Sequence, residues 1–436
     1  MAKQYRPKLK VWRSLLVVFS LALLAMWLVL GLAVASGNSN TTIRPESGFL
    51  IRITTASGSD RNSRSPSLSA DGTRIAFASD SDFFNQGIAD NQSEVWLYDT
   101  TTATLTRITT ATDATRSSSA PSLSADGTKI AFVGNSDLLG QGILDGQMAV
   151  WLYNTQTMTY TRLAIVLDNS LDHPRRVGPP DLSADGTRVA FQSNSSLLGQ
   201  YLPEYQYEIW LYDTATMTLT RITSASGAYR SSGHPRLSAD GTEVGFHSNS
   251  DFLGQGIPYG QFEIWLYDTT TMTYTRITTS TGGDSAAPAI SADGTRIVFN
   301  SNADFLDQGA NHFEVWLYDT SAMTYTRVTI SDFPRDSWSY VPELSRNGTI
   351  VAFVSDSDFL GEDAVEGQYK LWLYNTATMT YTRVTDSGSS GFGRDPTSLN
   401  ADGTVLAFSD NTEIWLYKAL DVKSKMDLPM VLKYAP

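Results

Sequence analysis

The chain has 436 residues, 41% of them hydrophobic and 18% charged, with a net charge of −13 and no cysteine. That composition belongs to a folded chain and excludes disulfides, thiolate metal sites and a cysteine nucleophile. It leaves only His173, His234, His247 and His312, none at the spacing of a helix-borne metal pair, and its acidity disfavours nucleic acid as a partner because such a surface repels phosphate.

Residues 1–35 hold Lys3, Arg6, Lys8, Lys10 and Arg13 and no acid, which leaves −18 on the remainder. Residues 14–35 (SLLVVFSLALLAMWLVLGLAVA) are uncharged and long enough to cross a hydrocarbon core as a helix, with the five cations kept on the cytoplasmic side. A cleaved signal peptide ending at Ala33-Val34-Ala35 is the rival reading; the length of the apolar run favours the uncleaved anchor. Either reading exports the rest of the chain. Residues 36–48 form a polar, Gly/Ser/Asn-rich linker.

From residue 49 the sequence repeats. SLSADGTRIAF (67–77) returns in variant form at 122–132, 181–191, 236–246, 289–299, 343–353 and 398–408, and each copy is followed by IWLY or a close variant. Six copies add a third landmark, from LTRIT (105–109) to YTRVT (381–385). Asp-Gly between two apolar runs is a strong hairpin signal, because glycine takes the positive φ that such turns need. IAF and IWLY suit buried strands, and the Thr-rich run suits an outer strand with one wet side. Four strands in about 55 residues is the size of a propeller blade. The seventh copy lacks its Thr-Arg-Ile-Thr strand, and FLIRIT (49–54) at the other end of the chain supplies it. The spacing therefore predicts an all-β, seven-bladed propeller over 49–417, with the N-terminal strand closing the last blade, followed by a tail at 418–436.

The P-x-[LI]-S-x-D-G-x-x-[IV]-A-F pattern with its IWLY strand resembles the repeat of TolB-type propellers and of exported bacterial propeller proteins, across about 370 residues. The resemblance implies the fold and leaves the function open, since propellers host both binding scaffolds and enzymes. TolB carries a further α/β domain before its propeller, so a Tol-system role is not expected to carry over. Propeller peptidases add a hydrolase domain, for which 418–436 is too short.

Strand order places the Asp-Gly and YDTTTAT turns on one face and the long connections on the other, where binding usually resides. Two features recur there. Arg61, Arg116, Arg175 and Arg230 each stand five residues before a blade's leading proline. Their guanidinium groups either form an anion- or acidic-glycan-binding mouth or tie down their own loops. The Ser-Asp/Asn-Ser/Ala-Asp/Ser-Phe/Leu motif follows each A-F strand up to 355–359, and Asp80/Asp82 and Asp356/Asp358 offer oxygen ligands for calcium or, alternatively, caps for loop amides. Trp338 breaks the repeat within SDFPRDSWSY (331–340) and is a contact candidate, whereas the seven IWLY tryptophans read as core. No catalytic constellation is evident, and calcium is the sole cofactor with candidate ligands. The leading expectation is a non-catalytic, envelope-exposed propeller that binds a protein or polysaccharide through its long-loop face. A lyase or glycoside hydrolase at the channel mouth and a purely structural surface module are the alternatives.

Overall fold

The computed structural model describes residues 48–420 apart from short loop segments, the longest being 167–175, 331–338, 362–366 and 386–396. The leader, most of the linker and tail, His173, Arg175 and Trp338 lie outside the described residues. Within them, seven four-stranded antiparallel sheets are present. Blade 1 comprises β2 (Ser63–Leu68), β3 (Arg74–Ser79), β4 (Glu94–Asp99) and β5 (Thr104–Arg107), and blades 2–6 repeat it in order. Blade 7 comprises Ser398–Leu399, Val405–Ser409 and Ile414–Ala419, with β1 (Gly48–Arg52) as its fourth strand.

The closure follows the expected register, with Phe49 opposite Lys418 and Arg52 opposite Trp415. Its side chains copy the other blades. In blade 1, Thr109 Oγ1 donates to buried Glu94, Ala111 N donates to the same carboxylate at 2.7 Å, and Val95 N donates to Thr109 Oγ1 at 2.9 Å. In blade 7, Thr54 Oγ1 donates to Glu413 at 2.6 Å, Ala56 N to Glu413 at 2.7 Å, and Ile414 N to Thr54 Oγ1 at 2.8 Å. The N-terminal strand thus inherits a hydrogen-bond pattern that is local elsewhere, and no sheet edge is left open at the joint.

A second ring closes at the Asp-Gly turns. Ala70 N donates to Ala125 O, and the relay continues through Ala184, Ala239, Ala292, Arg346/Asn347 and Ala401 back to Ala70 O, at 2.7–3.0 Å throughout. The turn glycines have positive φ, which favours glycine there, and Gly127 packs against the Arg74 side chain of the preceding blade. The core lies between blades. Trp96, Trp151, Trp210, Trp265, Trp316 and Trp372 are fully buried. The Phe of the Ser-Asp/Asn-Ser/Ala-Asp-Phe motif stands edge-on to its own blade's tryptophan, as in Phe83–Trp96 (5.0 Å) and Phe252–Trp265 (5.1 Å).

Candidate functional site

The long-loop motifs prove to be connected to one another. Asp80 Oδ1 accepts from Asn62 N at 2.6 Å, and Asn135, Asn194 and Asn249 accept from Ser117, Arg176 and Ser231 N at the same distance, pinning the segment that leads into each inner strand. The arginines span the same loops from the other side. Arg61 donates to the carbonyls of Asp80 and Ile88 and to Asp90 Oδ1 (2.7 Å). Arg116 donates to Asn135 O and Ile143 O and is only 8% exposed; Arg230 donates to Asn249 O and Ile257 O. A guanidinium directed at several carbonyls of its own loop acts as a brace. Among the carboxylates considered for calcium, Asp82 accepts from Gln86, Gly87 and Ile88 N, Asp356 from Gly367 N and Asp358 from Leu360 N. Burial alone would raise the Asp82 carboxyl, but the amide hydrogen bonds from Gln86, Gly87 and Ile88, together with Arg107, hold it below its ordinary value.

The structure also brings together residues that the sequence left scattered. A cavity of about 410 Å³ runs along the propeller axis, lined by the inner strands of all seven blades. Its wall repeats one position, the residue after each blade's leading proline or threonine: Ser67, Ser122, Asp181, Arg236, Ala289, Glu343 and Ser398. Five of the inner strands carry a bulge just before that proline, at Ser65, Ala120, His234, Ala287 and Val341, with φ of +50° to +53°. Proline has no N–H to offer the ladder, which places it naturally at the break.

In blades 3, 4 and 6 the wall is polar and charged. Arg236 contacts Asp181 at 3.7 Å and, past Ala289, Glu343 at 2.8 Å, and Arg346 lies nearby on the cavity wall. Burial pushes the Asp181 and Glu343 carboxyls upward against the pull of Arg236, and the Glu343 carboxylate keeps Arg236 charged. Toward the long-loop end, the His234 and His247 rings lie 4.9 Å apart. Burial, together with His234, pushes His247 down to about 3, and burial and Arg236 lower His234. Ala287 N donates to His247 Nδ1 at 3.4 Å, which puts the ring proton on Nε2. Gln192 Oε1 accepts from His234 N at 2.7 Å. Gln192, His247 and Asn300 occupy the same position in blades 3, 4 and 5, where Ala78, Val133 and Val354 stand in blades 1, 2 and 6. Asn300 Oδ1 is buried with no hydrogen-bond partner among the described residues. The signal was present in the repeats: polar residues at two positions that are small or apolar in the other copies.

Comparison with solved structures places the fold. An oligogalacturonate lyase in complex with manganese matches at 15% identity and a TM-score of 0.56, over 86% of this chain and 94% of the other. The β-propeller domain of the trilobed protease from Pyrococcus furiosus, described as having an open velcro topology, matches at 12% identity and a TM-score of 0.52, over 83% and 98%. A TolB from Agrobacterium tumefaciens matches at 18% identity and a TM-score of 0.44, over 74% and 97%. No protein-family model and no curated protein sequence matches. Seven blades, built from five copies of the P-x-[LI]-S-x-D-G repeat and two close variants of it, decide the architecture. The chain is a seven-bladed β-propeller in fold. Its ring, unlike that of the protease domain, is closed by strand pairing between β1 and Ile414–Ala419. The residues present do not make a manganese centre: among those described, no three His, Asp or Glu are grouped to hold a metal, and Arg236 engages the channel carboxylates.

Proposed function

We propose that this propeller is a non-catalytic, extracytoplasmic binding protein that takes the end of an envelope polysaccharide into its axial cavity from the long-loop face. The observation behind this reading is the polar wall of blades 3, 4 and 6: Asp181, Gln192, His234, Arg236 and Glu343 present donors and acceptors on one side of a cavity sized for a small ligand. Serine hydroxyls on the opposite wall continue that hydrogen-bonding character, which suits a hydroxyl-rich chain end better than an apolar peptide anchor. Arg61, Arg116 and Arg230 serve the site by bracing the loops around its mouth.

One observation favours a second reading, a carbohydrate lyase or hydrolase. An uncharged His234 on the same cavity wall as carboxyls with raised proton affinity is a feature that an acid–base site shares. The oligogalacturonate lyases supply a substrate class worth including in a test, although at this identity the likeness is one of fold. Incubation of the full chain with a panel of neutral and acidic envelope oligosaccharides separates the readings. Retention of a glycan without turnover, weakened about tenfold by His234→Ala, is the expected result. Turnover of any member replaces binding with catalysis, and retention of none, or retention unaffected by His234→Ala, removes the channel from the account.

A further inference from the structure

The turn between the third and fourth strands carries methionine in five blades: Met158, Met217, Met272, Met323 and Met379. Each is 72–78% exposed, and each has φ between +55° and +58°. Both properties are unfavourable for a fold. The left-handed conformation strains any residue with a Cβ, and glycine or asparagine would fit better. A thioether held in water buries nothing. An unfavourable choice made five times at one position points to something outside the propeller that the side chains meet.

Strand pairing shows where that face leads. Arg52 in blade 7 takes the place of Arg107 in blade 1, so Gly48 takes the place of Ala103, the blade 1 counterpart of the methionines. The polypeptide before Gly48 therefore leaves from the same ring of turns as the methionines. Apolar residues 14–35 are separated from Gly48 by residues 36–47, which reach at most about 40 Å when fully extended. Taking residues 14–35 as an uncleaved membrane anchor, on which the inference rests, we infer that the methionine crown seats the short-turn rim in a lipid surface, with the long-loop face and cavity mouth turned outward. The lipid is zwitterionic, because Asp71, Asp126, Asp185, Asp240, Asp293 and Asp402 lie in the turns of the same face and repel an anionic surface. A flexible thioether suits such shallow contact.

The absence of cysteine makes the test direct. The full chain, reconstituted into phosphatidylcholine vesicles, carries one cysteine at a time, at Met158, Met217 or Met323, or at Tyr229 and Tyr259 in the long loops, each labelled with an environment-sensitive fluorophore. Labels at the methionine positions are expected to shift to the blue and to be quenched by lipids brominated near the headgroup, and the tyrosine-position labels to do neither. Replacing a third of the lipid with phosphatidylserine should reduce the quenching. Replacement of all five methionines by asparagine should leave the melting midpoint unchanged or higher while releasing the rim from the lipid. A chain that resists alkaline extraction but whose methionine-position labels behave like those at Tyr229 overturns the crown and leaves the anchor standing. A chain extracted by alkali removes the anchor, and the crown with it.

Discussion

The two halves of the axial cavity solve the same packing problem differently. Around blades 7, 1, 2 and 3, the side chain after each leading proline or threonine reaches the next blade's backbone. Ser398 Oγ accepts from Leu68 N, Ser67 Oγ from Leu123 N, Ser122 Oγ from Leu182 N and Asp181 Oδ2 from Leu237 N, at 2.7–3.0 Å. In blades 4–6 that position holds Arg236, Ala289 and Glu343. Arginine and alanine cannot accept an amide hydrogen bond, and Glu343 is turned toward Arg236. The relay ends at Asp181, whose carboxylate both accepts from Leu237 N and faces Arg236. The serine half is what a repeat does when only the ring has to be built. The charged half departs from that solution, and buried charge contributes little net stability by itself. Its presence there is an argument for ligand recognition.

The sharpest break of this comparison is Arg236→Met, which removes the cation that contacts Asp181 and Glu343 and leaves them only the more distant Arg346. Because the Arg236 side chain keeps 32% exposure, the expected loss is about 3 kcal/mol, the low end for a broken buried pair. Ser122→Ala in the other half removes one hydrogen bond and should cost about 1 kcal/mol in the same denaturant titration. Replacing Asp181, Arg236 and Glu343 together by serine converts the charged half to the serine pattern. Stability within about 1 kcal/mol of the parent, with loss of glycan retention, is the expected outcome. A triple variant as unstable as Arg236→Met would instead make the cluster a structural element.

The histidines give a smaller effect that depends on pH. The unfolded chain protonates His247 near 6.5, whereas the folded chain resists until about 3, since burial and His234 oppose the charge. The stability contributed by the neutral ring is complete above 6.5 and is lost as pH falls toward 3. Between pH 7 and 5 the loss is at most about 2 kcal/mol. His247→Asn, the residue that blade 5 carries at this position, should flatten that part of the profile. Parallel melting curves for parent and variant would show His247 to be already charged or solvated.

The propeller was legible from the sequence because its evidence repeats. Six Asp-Gly turns and one Asn-Gly turn, seven strands of IWLY type and one missing strand fix both the count and the closure, and Glu413 with Thr54 repeats the pairing of Glu94 with Thr109 across the chain ends. The recurring loop arginines were legible as a pattern, but their carbonyl partners were not, because a backbone oxygen carries no residue name. The channel site escaped for the opposite reason. Asp181, Arg236 and Glu343 each occur once, far apart in sequence, and His234 and His247 belong to different strands of one blade. What distinguishes them is departure from the repeat, visible only when the copies are laid over one another and the exceptions are read.

Glu243 is such an exception, and it gives the smallest of the expected effects. At its position Arg74, Lys129, Arg188 and Arg296 donate to the turn carbonyls of Gly127, Gly186, Gly241 and Gly348 in the following blade, at 2.8–2.9 Å. Glu243 has no proton to donate when ionised, lies opposite Asp268 in the ladder, and leaves its Oε2 unpartnered. Burial, with Asp268 and Asp240 adding repulsion, raises its carboxyl to about 7. A raised acid favours folding below the unfolded value of 4.5, and that contribution disappears as pH climbs through 7. Since the carboxyl is partly solvated, the penalty above pH 7 is about 1 kcal/mol. Glu243→Gln should recover it at pH 8 and little of it at pH 4.5. Glu243→Arg should add the missing bond to Gly294 O and raise the melting midpoint further, giving blade 4 the contact that blades 1, 2, 3 and 5 already make. If Glu243→Arg lowers the midpoint at pH 8, blade 4 is fitted around an acid at this position, and its irregularity extends to the turns as well as the channel.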